Sequence, residues 1–330
     1  MNEPRSKMRQ AIGGFRLSQM ISVASKLRLA DLLSDGPLGV PELARLTRSN
    51  GDALYRLLRA LAGYGIFAEV QDRAFALTPE ANYLRTGVEG SLRAFADVAG
   101  ARWMWEPWGG LMHSVLTGET AFDKLYGKDT WSYFAETPEA SRLFNEFMEE
   151  ISVADARAIV DVFDFGKKNV VDVAGGQGAL LIAILERYPD AHGVLFNLPH
   201  VIDEIEHGLA NKLELMRGSF FETIPSGGDL YLLKNILHDW EDSTALQILT
   251  QCRRAMSGEA RLLIIEHIVH GPNQPCNGKI GDIGMLVRNG GSNRTEAEFE
   301  DLLSASGFVL LRVMSTEDGP DLLEAMVSNT

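Results

Sequence analysis

The fold class that this sequence predicts is α/β: a doubly wound, mostly parallel sheet closed by a C-terminal antiparallel strand and preceded by a mainly helical, winged-helix-like domain. Three observations predict it. Strand-like and helix-like runs alternate from Asn169 to Val327, the rhythm of βα units that set parallel strands side by side with helices over both faces. Within that series, Val170-Val171-Asp172-Val173-Ala174-Gly175-Gly176-Gln177-Gly178 leads into Ala179–Glu186, which reads as buried strand, tight loop and helix. Ahead of both, residues 11–77 carry three helical patterns followed by a hairpin pattern.

The first helix is read over 11–35, where Ile12, Phe15, Leu17, Met20, Val23, Ala24, Leu27 and Leu29 recur at helical spacing. Pro37 and Gly39 interrupt the pattern, and Val40–Leu46 resumes it as a short helix. The Ser49-Asn50-Gly51 turn leads to a third helix over Ala53–Ala62, closed by Gly63. Ile66–Val70 and Ala74–Leu77, joined by the polar turn Gln71-Asp72-Arg73, form the hairpin. Winged helices often read DNA. Here Arg56 and Arg59 share the candidate recognition helix with a core face of Leu54, Leu57, Leu58 and Leu61, and no concentrated basic surface accompanies them. The domain is expected instead to pair with a second copy of the chain, because its long first helix is too apolar to face water alone.

From Arg93 to about Val162 the pattern is helical again and dense in large rings, among them Trp103, Trp105, Trp108, Tyr133, Phe144 and Phe147. Rings at helical spacing form a core, or they wall a pocket for a planar ligand; both readings stand. Three segments follow: a winged-helix-like domain over 1–92, a helical pocket and linker region over 93–162, and the sheet domain over 163–330.

At 330 residues the chain is long enough for two cores. A formal net charge of −14 argues against general affinity for nucleic acid or anionic membrane. No run of about eighteen apolar residues occurs and no signal-peptide core opens the chain, so it reads as cytoplasmic with no membrane partner. Cys252 and Cys276 are too few for a disulfide framework.

In the sheet domain the predicted strands are Asn169–Val173, Gly193–Phe196, Leu213–Arg217, Leu230–Leu233, Arg261–Glu266, Val309–Val313 and Leu322–Val327. Helices are expected from Ala179 to Tyr188, Pro199 to Leu209, Asp242 to Met256 and Glu296 to Ser306. The last two strands are joined without room for a helix, so they must run antiparallel. Ligands of such sheets bind outside the carboxyl ends of the strands, which singles out Asp172, Asn197, Ser219, Lys234 to Asp239, and Glu266.

The glycine loop itself narrows the ligand. A dinucleotide fingerprint wants a third glycine three residues after the second, and here Gly178 is followed by Leu181 at that spacing. A Walker-type Gly-Lys-Ser/Thr is absent. Asp172 at the mouth of the loop repels a phosphate and welcomes an ammonium. S-adenosylmethionine carries an ammonium and a ribose and no phosphate; a glycine turn that serves packing alone is the alternative.

The ordered blocks Asp172–Gly178, Phe196-Asn197-Leu198-Pro199-His200-Val201-Ile202, Arg217–Phe221, Leu233–Asp242 and Gly290–Thr295 resemble those of S-adenosylmethionine-dependent class I O-methyltransferases. The resemblance is to the group of plant caffeate-type and bacterial antibiotic and phenazine enzymes, and it covers almost the whole chain. It implies a Rossmann-like methyltransferase sheet behind an N-terminal winged-helix dimerisation domain, a homodimer, an aromatic small-molecule substrate and S-adenosylhomocysteine as cofactor product. Asp172, Gly175, Gly176 and Gly178 then fall on the family's cofactor loop, with Asn197, Leu198, Ser219, Phe220, Lys234 and Trp240 on the rest of the cofactor site. Phe220 and Trp240 would flank the adenine. His238 falls on the catalytic base and Glu266 on the carboxylate that orients it. A substrate pocket is expected from Trp105, Phe144, Phe147, Met148 and Met285, with Asp239 and Asn289 as polar members. The chain departs from the family at Asn197 and Ser219, where acids usually hold ribose and adenine, and at Asn293, usually a glutamate. A neutral amide makes weaker bonds to ribose hydroxyls than a carboxylate, a loss on the order of 1–3 kcal/mol for the two positions.

The chemistry agrees with that assignment. Methyl transfer from a sulfonium is an in-line displacement and needs a deprotonated nucleophile held about 3 Å from the methyl carbon. A phenol with a pKa near 10 needs a neighbouring base, and histidine, with an ordinary pKa near 6.5, suits the task. Metal assistance is not expected, because Asp239, Glu241 and Asp242 read as the start of a helix. Two alternatives remain: the same fold running decarboxylation, hydroxylation or pericyclic chemistry, and a dimeric scaffold that senses a small molecule.

Overall fold

The computed structural model describes residues 3–203, 205, 213–317 and 319–328. The chain divides into two compact units: residues up to Glu106 together with Pro138–Glu150, and Pro107–Thr137 together with Ile151 onward.

In the first unit, helices Glu3–Lys26, Leu29–Leu32, Val40–Thr47 and Gly51–Ala62 pack with three short strands, β1 (Leu38–Gly39), β2 (Ala68–Glu69) and β3 (Ala74–Ala76), in the order β1-β3-β2. Leu29, Leu43, Leu58, Leu61, Phe67 and Phe75 fill the core between them. The single helix expected over 11–35 is two helices. The break falls at Arg28, which is left-handed at φ 55. Periodicity ignored the cause, which is tertiary: Arg28 donates to Thr86 Oγ1 (2.8 Å), while Asp31 accepts from the Thr86 amide (2.8 Å) and hydroxyl (2.9 Å). The third helix starts at Gly51 rather than Ala53 because the Asn50 side chain caps it, accepting from the Ala53 amide at 3.0 Å. The two-residue β1 was missed, being too short to show a period. Helix Arg93–Ala99 has no side-chain cap from its own sequence. Glu150 supplies one from a distance, accepting from the amides of Ala94 (2.9 Å) and Phe95 (3.2 Å) and placing a negative charge at the helix start. Met8, Ile12, Phe15 and Val23 are exposed along the first helix.

The second unit is built on a sheet that has seven strands among the described residues, in the order β6-β5-β4-β7-β8-β10-β9. They are β4 (Asn169–Val173), β5 (His192–Asn197), β6 (Glu214–Arg217), β7 (Leu230–Lys234), β8 (Arg261–Glu266), β9 (Phe308–Ser315) and β10 (Asp321–Val327). Strands β4 to β8 pair in parallel, and β10 runs antiparallel to both β8 and β9, as the short β9–β10 connection requires. Alternate residues serve opposite cores. Val171, Val173, Tyr231, Leu233, Leu262 and Ile264 face Ile248, Leu249, Phe299 and Leu303 of helices Asp242–Ala255 and Glu296–Ala305. Val170, Leu230, Leu232, Leu263 and Ile265 face Ile159, Leu180, Leu181 and Ile184. Both faces are covered, so the strands are apolar almost throughout, and Asp172 is an acid inside such a run. The strand order reverses at β4, with β5 on one side and β7 on the other, which opens a crevice at the carboxyl ends of these strands.

Two differences from the expected helices concern the site. The helix expected from Pro199 is seen over Pro199–Asp203, and its continuation to Leu209 lies, apart from residue 205, outside the described residues. Helix Asn277–Arg288 was not expected at all. Gly278, Gly281 and Gly284 lower its intrinsic propensity, yet at three-residue spacing they line one face. A side chain at Gly278 would run into the backbone of Ile268, and one at Gly281 would press on Asn293. The glycines that hide the helix from a propensity argument give it close neighbours, Gly278 letting it lie against the loop after β8 and Gly281 against Asn293. Among the described residues no helix is long and apolar enough to cross a membrane.

Candidate active site

Strand β7 ends at Lys234, and the chain turns through left-handed Asn235 (φ 54) into the helical turn Leu237–Asp239. The Asn235 amide donates to Ile265 O (3.0 Å), which ties this turn to the end of β8, where Glu266 is almost fully buried. His238 Nδ1 lies 2.5 Å from Glu266 Oε2, and the His238 amide donates to Oε1 at 3.3 Å. The imidazole is thereby held at one ring nitrogen. Its other nitrogen, Nε2, lies 3.7 Å from Asp239 Oδ1, and that oxygen accepts from Asn289 Nδ2 at 2.5 Å. Burial opposes the imidazolium, but the Glu266 and Asp239 carboxylates outweigh it against opposition from Arg288, and the His238 pKa is pushed up to about 9. Burial likewise raises the Asp239 pKa, with His238, Asn289 and Arg288 acting against it.

The conformation of this turn is set from outside by Arg294, which is buried. Its guanidinium donates to Leu237 O (2.9 Å) and Trp240 O (2.8 Å), and twice to Asp242 Oδ1 (3.0 and 2.8 Å). Gly291 sits so close to His238 and Asp239 that any side chain there would strike their backbone. The block Gly290–Thr295 was recognised in the sequence, but the clamp by Arg294 was not, since nothing in the spacing says where a guanidinium will point. Asn293, standing where the family has a glutamate, donates to His267 O at 3.1 Å.

Across the crevice, β4 ends in the glycine loop. Ala174, Gly176 and Gly178 are left-handed (φ 59, 58 and 84), and Gly178 caps helix Ala179–Arg187. At Gly175 a side chain would collide with the Asp172 carboxylate. Asp172 is 1% exposed, and among the described residues neither of its carboxylate oxygens has a hydrogen-bond donor. Burial pushes its pKa up to about 7 despite the attraction of Lys234. Lys234 itself is paired with Asp155 at 2.9 Å. A buried carboxylate bordered by glycine and lacking donors is complementary to a cationic amine on a ligand.

Asn197, at the end of β5, accepts with Oδ1 from the Leu198 amide (2.8 Å), and Ser219 Oγ accepts from the Phe221 amide (3.3 Å). Both residues are engaged with their own backbone. Phe220 and Trp240 lie with ring centroids 6.3 Å apart at 83°, so they meet edge to face rather than as parallel plates, and Phe221 completes the cluster at 5.1 Å from Trp240. Among the expected pocket residues, Asp239, Met285 and Asn289 stand together in the second unit, Asn289 Nδ2 lying 3.8 Å from Met285 Sδ. In the first unit Phe144 and Phe147 are neighbours (6.5 Å), Trp105 stacks on Phe15 (5.9 Å), and Met148 follows on the helix that carries Phe147. Among the described residues no group of three His, Cys, Asp or Glu side chains converges as metal ligands.

The family profile of the O-methyltransferase domain matches residues 108–309. The chain belongs to that family. The profile of the O-methyltransferase dimerisation domain matches residues 9–87. The phenazine O-methyltransferase PhzM of Lysobacter antibioticus is 40% identical over 322 residues, covering 96% of this chain and 94% of that protein. The mitomycin biosynthesis 6-O-methyltransferase of Streptomyces lavendulae is 36% identical over 311 residues, covering 92% and 88%. The crystal structure of LaPhzM superposes with a TM-score of 0.94 over 98% of this chain and 99% of that one. The protein is a Rossmann-like, S-adenosylmethionine-dependent O-methyltransferase preceded by a helical dimerisation domain.

The unpartnered Asp172 in this methyltransferase fits the ammonium of the cofactor, and the sign of its raised pKa makes the fit testable. An ordinary aspartate in the unfolded chain titrates near 3.9, so the native state holds its proton more tightly. The stability this supplies is complete below pH 4 and is lost as pH rises through about 7. In cofactor-free protein, Asp172→Asn is therefore expected to be more stable than the parent at pH 8, by on the order of a few kcal/mol, with a much smaller gap at pH 5. The same variant should bind S-adenosylmethionine at least about tenfold more weakly. Urea unfolding at the two pH values and calorimetric titration check both; a stability gap independent of pH would refute the account of Asp172.

Proposed function

We propose that the chain methylates a hydroxyl of an aromatic small molecule of specialised metabolism, with His238 as general base and Glu266 as the group that orients it. The observation that carries this reading is the His238–Glu266 contact of 2.5 Å at the end of β8, in the same crevice as the unpartnered Asp172. Relatives named for phenazine and mitomycin chemistry support the aromatic substrate.

When bound, S-adenosylmethionine supplies an electrophilic methyl group, and S-adenosylhomocysteine is its product. Asp172 receives the ammonium, with Gly175, Gly176 and Gly178 keeping the loop free of side chains that would bar its approach. Asn197 and Leu198 serve the ribose, and Ser219, Phe220 and Trp240 the adenine. Lys234, paired with Asp155, stabilises this side of the crevice by its charge. At the reacting end, Glu266 holds Nδ1 of His238, so Nε2 is the atom that takes the phenol proton. A base with a pKa of about 9 is nearly matched to a phenol near 10, which favours the transfer, but at neutral pH most of it already carries a proton. In the second unit, Asp239, Met285 and Asn289 contribute to the pocket for the ring.

The further assignments are a dimerisation domain over 1–92, a helical pocket and linker region over 93–162, a cofactor domain over 163–330, and a cytoplasmic location. Exposed Met8, Ile12 and Phe15 on the first helix, within the matched dimerisation segment, support pairing with a second copy. A second reading, a reaction other than methylation in the same fold, is favoured by Asn197 and Ser219, which replace the acids of the family and are occupied with local amides.

The test of function is incubation with S-adenosylmethionine and a panel of hydroxylated aromatic rings, read by mass for the gain of one methyl. No gain on any member, with the cofactor bound, would leave the second reading. His238→Ala should lower turnover at least about a hundredfold while cofactor affinity stays within about twofold, and in the parent log kcat/KM should climb with pH up to about 9. A flat profile between pH 6 and 9 would remove His238 as the base. Asn197→Asp should tighten cofactor binding about tenfold, measured by calorimetry; unchanged affinity would place the ribose elsewhere. Light scattering should give twice the chain mass, and a monomer would overturn the pairing.

A further inference from the structure

Helix Asn277–Arg288 ends beside the candidate base, and its last residue has no role in the reading above. Arg288 is 9% exposed, yet among the described residues its guanidinium makes no hydrogen bond and no ion pair. The backbone anchors it well, since Thr130 Oγ1 donates to Arg288 O at 3.0 Å and the Asn289 amide donates to Met285 O at 2.9 Å. Its neighbour Asn289 holds Asp239, and Asp239 lies against His238 Nε2. Arg288 thus adjoins in the chain the residue that holds Asp239, the acid 3.7 Å from the atom that receives the proton. Its charge is felt there: burial weakens its own hold on a proton while Asp239 strengthens it, and it opposes protonation of His238.

A buried guanidinium with its donors unused is costly in a protein interior. Asp239 is the nearest acid by effect, but it stays outside ion-pair distance and is bound by Asn289 instead. The five donors of arginine form a planar fork that matches a carboxylate in two parallel bonds.

We propose that Arg288 is a specificity-determining residue that binds a carboxylate carried by the aromatic substrate next to the hydroxyl that is methylated. The substrate class is then an aromatic hydroxy acid rather than a simple phenol. The arrangement also serves the reaction. A carboxylate beside a phenol accepts a hydrogen bond from it and holds its proton in place. A guanidinium that takes the carboxylate oxygens releases that proton to His238.

This inference rests on the aromatic-hydroxyl reading, and a binding measurement separates the two. Protein loaded with S-adenosylhomocysteine is titrated by calorimetry at pH 7.5 with 1-hydroxy-2-naphthoate and with 1-naphthol. The parent should bind the acid at least about tenfold more tightly than the naphthol. Arg288→Gln should abolish that preference and change naphthol affinity by less than about threefold; Arg288→Lys, which keeps the charge and loses the fork, should retain part of it. Equal binding of the two compounds by the parent overturns the proposal and needs no variant, so a folding defect cannot mask it. Equal weakening of both compounds in Arg288→Gln also overturns it. Failure of the methyltransferase reading would show separately, as absent uptake of S-adenosylhomocysteine or of any methyl group.

Discussion

The guanidinium of Arg294 holds the turn after β7 by bonds to two of its carbonyls, Leu237 O and Trp240 O, while Gly291 lets the following loop lie directly on the backbone of His238 and Asp239. The remaining geometry of His238 depends on this hold. The turn contains the left-handed Asn235 and only one helical turn, so little in its own backbone would keep it in place. With the carbonyls fixed, the His238 amide and ring both reach Glu266, and a single carboxylate sets the position and the orientation of the imidazole. Arg294 acts on this turn through its carbonyls and through Asp242 at the start of the following helix.

Charge in the crevice is arranged by giving some buried groups partners and leaving others without. Glu266 has His238, and Lys234 has Asp155. Asp172 and Arg288 have none within bonding distance among the described residues, one an anion at the end of β4 and the other a cation beside the base. A buried ion is stable only with a counter-charge or a displaced proton. Asp172 meets this partly by its raised pKa, a route that arginine lacks at ordinary pH. Both are therefore open to a ligand's counter-charge, which the proposals above supply as the ammonium of the cofactor at Asp172 and a carboxylate of the substrate at Arg288.

Asn197 and Ser219 are read differently once their bonds are known. As substitutions for acids they are expected from the family resemblance to weaken the grip on ribose and adenine. In the fold each side chain closes a local turn, Asn197 over Leu198 and Ser219 over Phe221.

The strands of the sheet, their order of appearance, the antiparallel final pair and the residues at the strand ends were all legible in the sequence, because burial on both faces demands continuous apolar runs and the period of two leaves few registers. Glu266 closes such a run and Asp172 interrupts one, so both stand out as acids among apolar residues, whereas His238 lies beyond the end of β7 and is marked by its place just after a central strand and by the family resemblance. Helix Asn277–Arg288 was not legible, since its three glycines argue against a helix until their neighbours, Ile268, Asn293 and Trp108, are in view. The break at Arg28 and the cap from Glu150 were hidden likewise, as their partners are distant in the chain. By itself the sequence determined the class of fold and the family, both carried by local pattern. The tertiary structure decided which charges are paired and which are left for a ligand, because that depends on where long side chains from separate elements end, and no spacing along the chain records it.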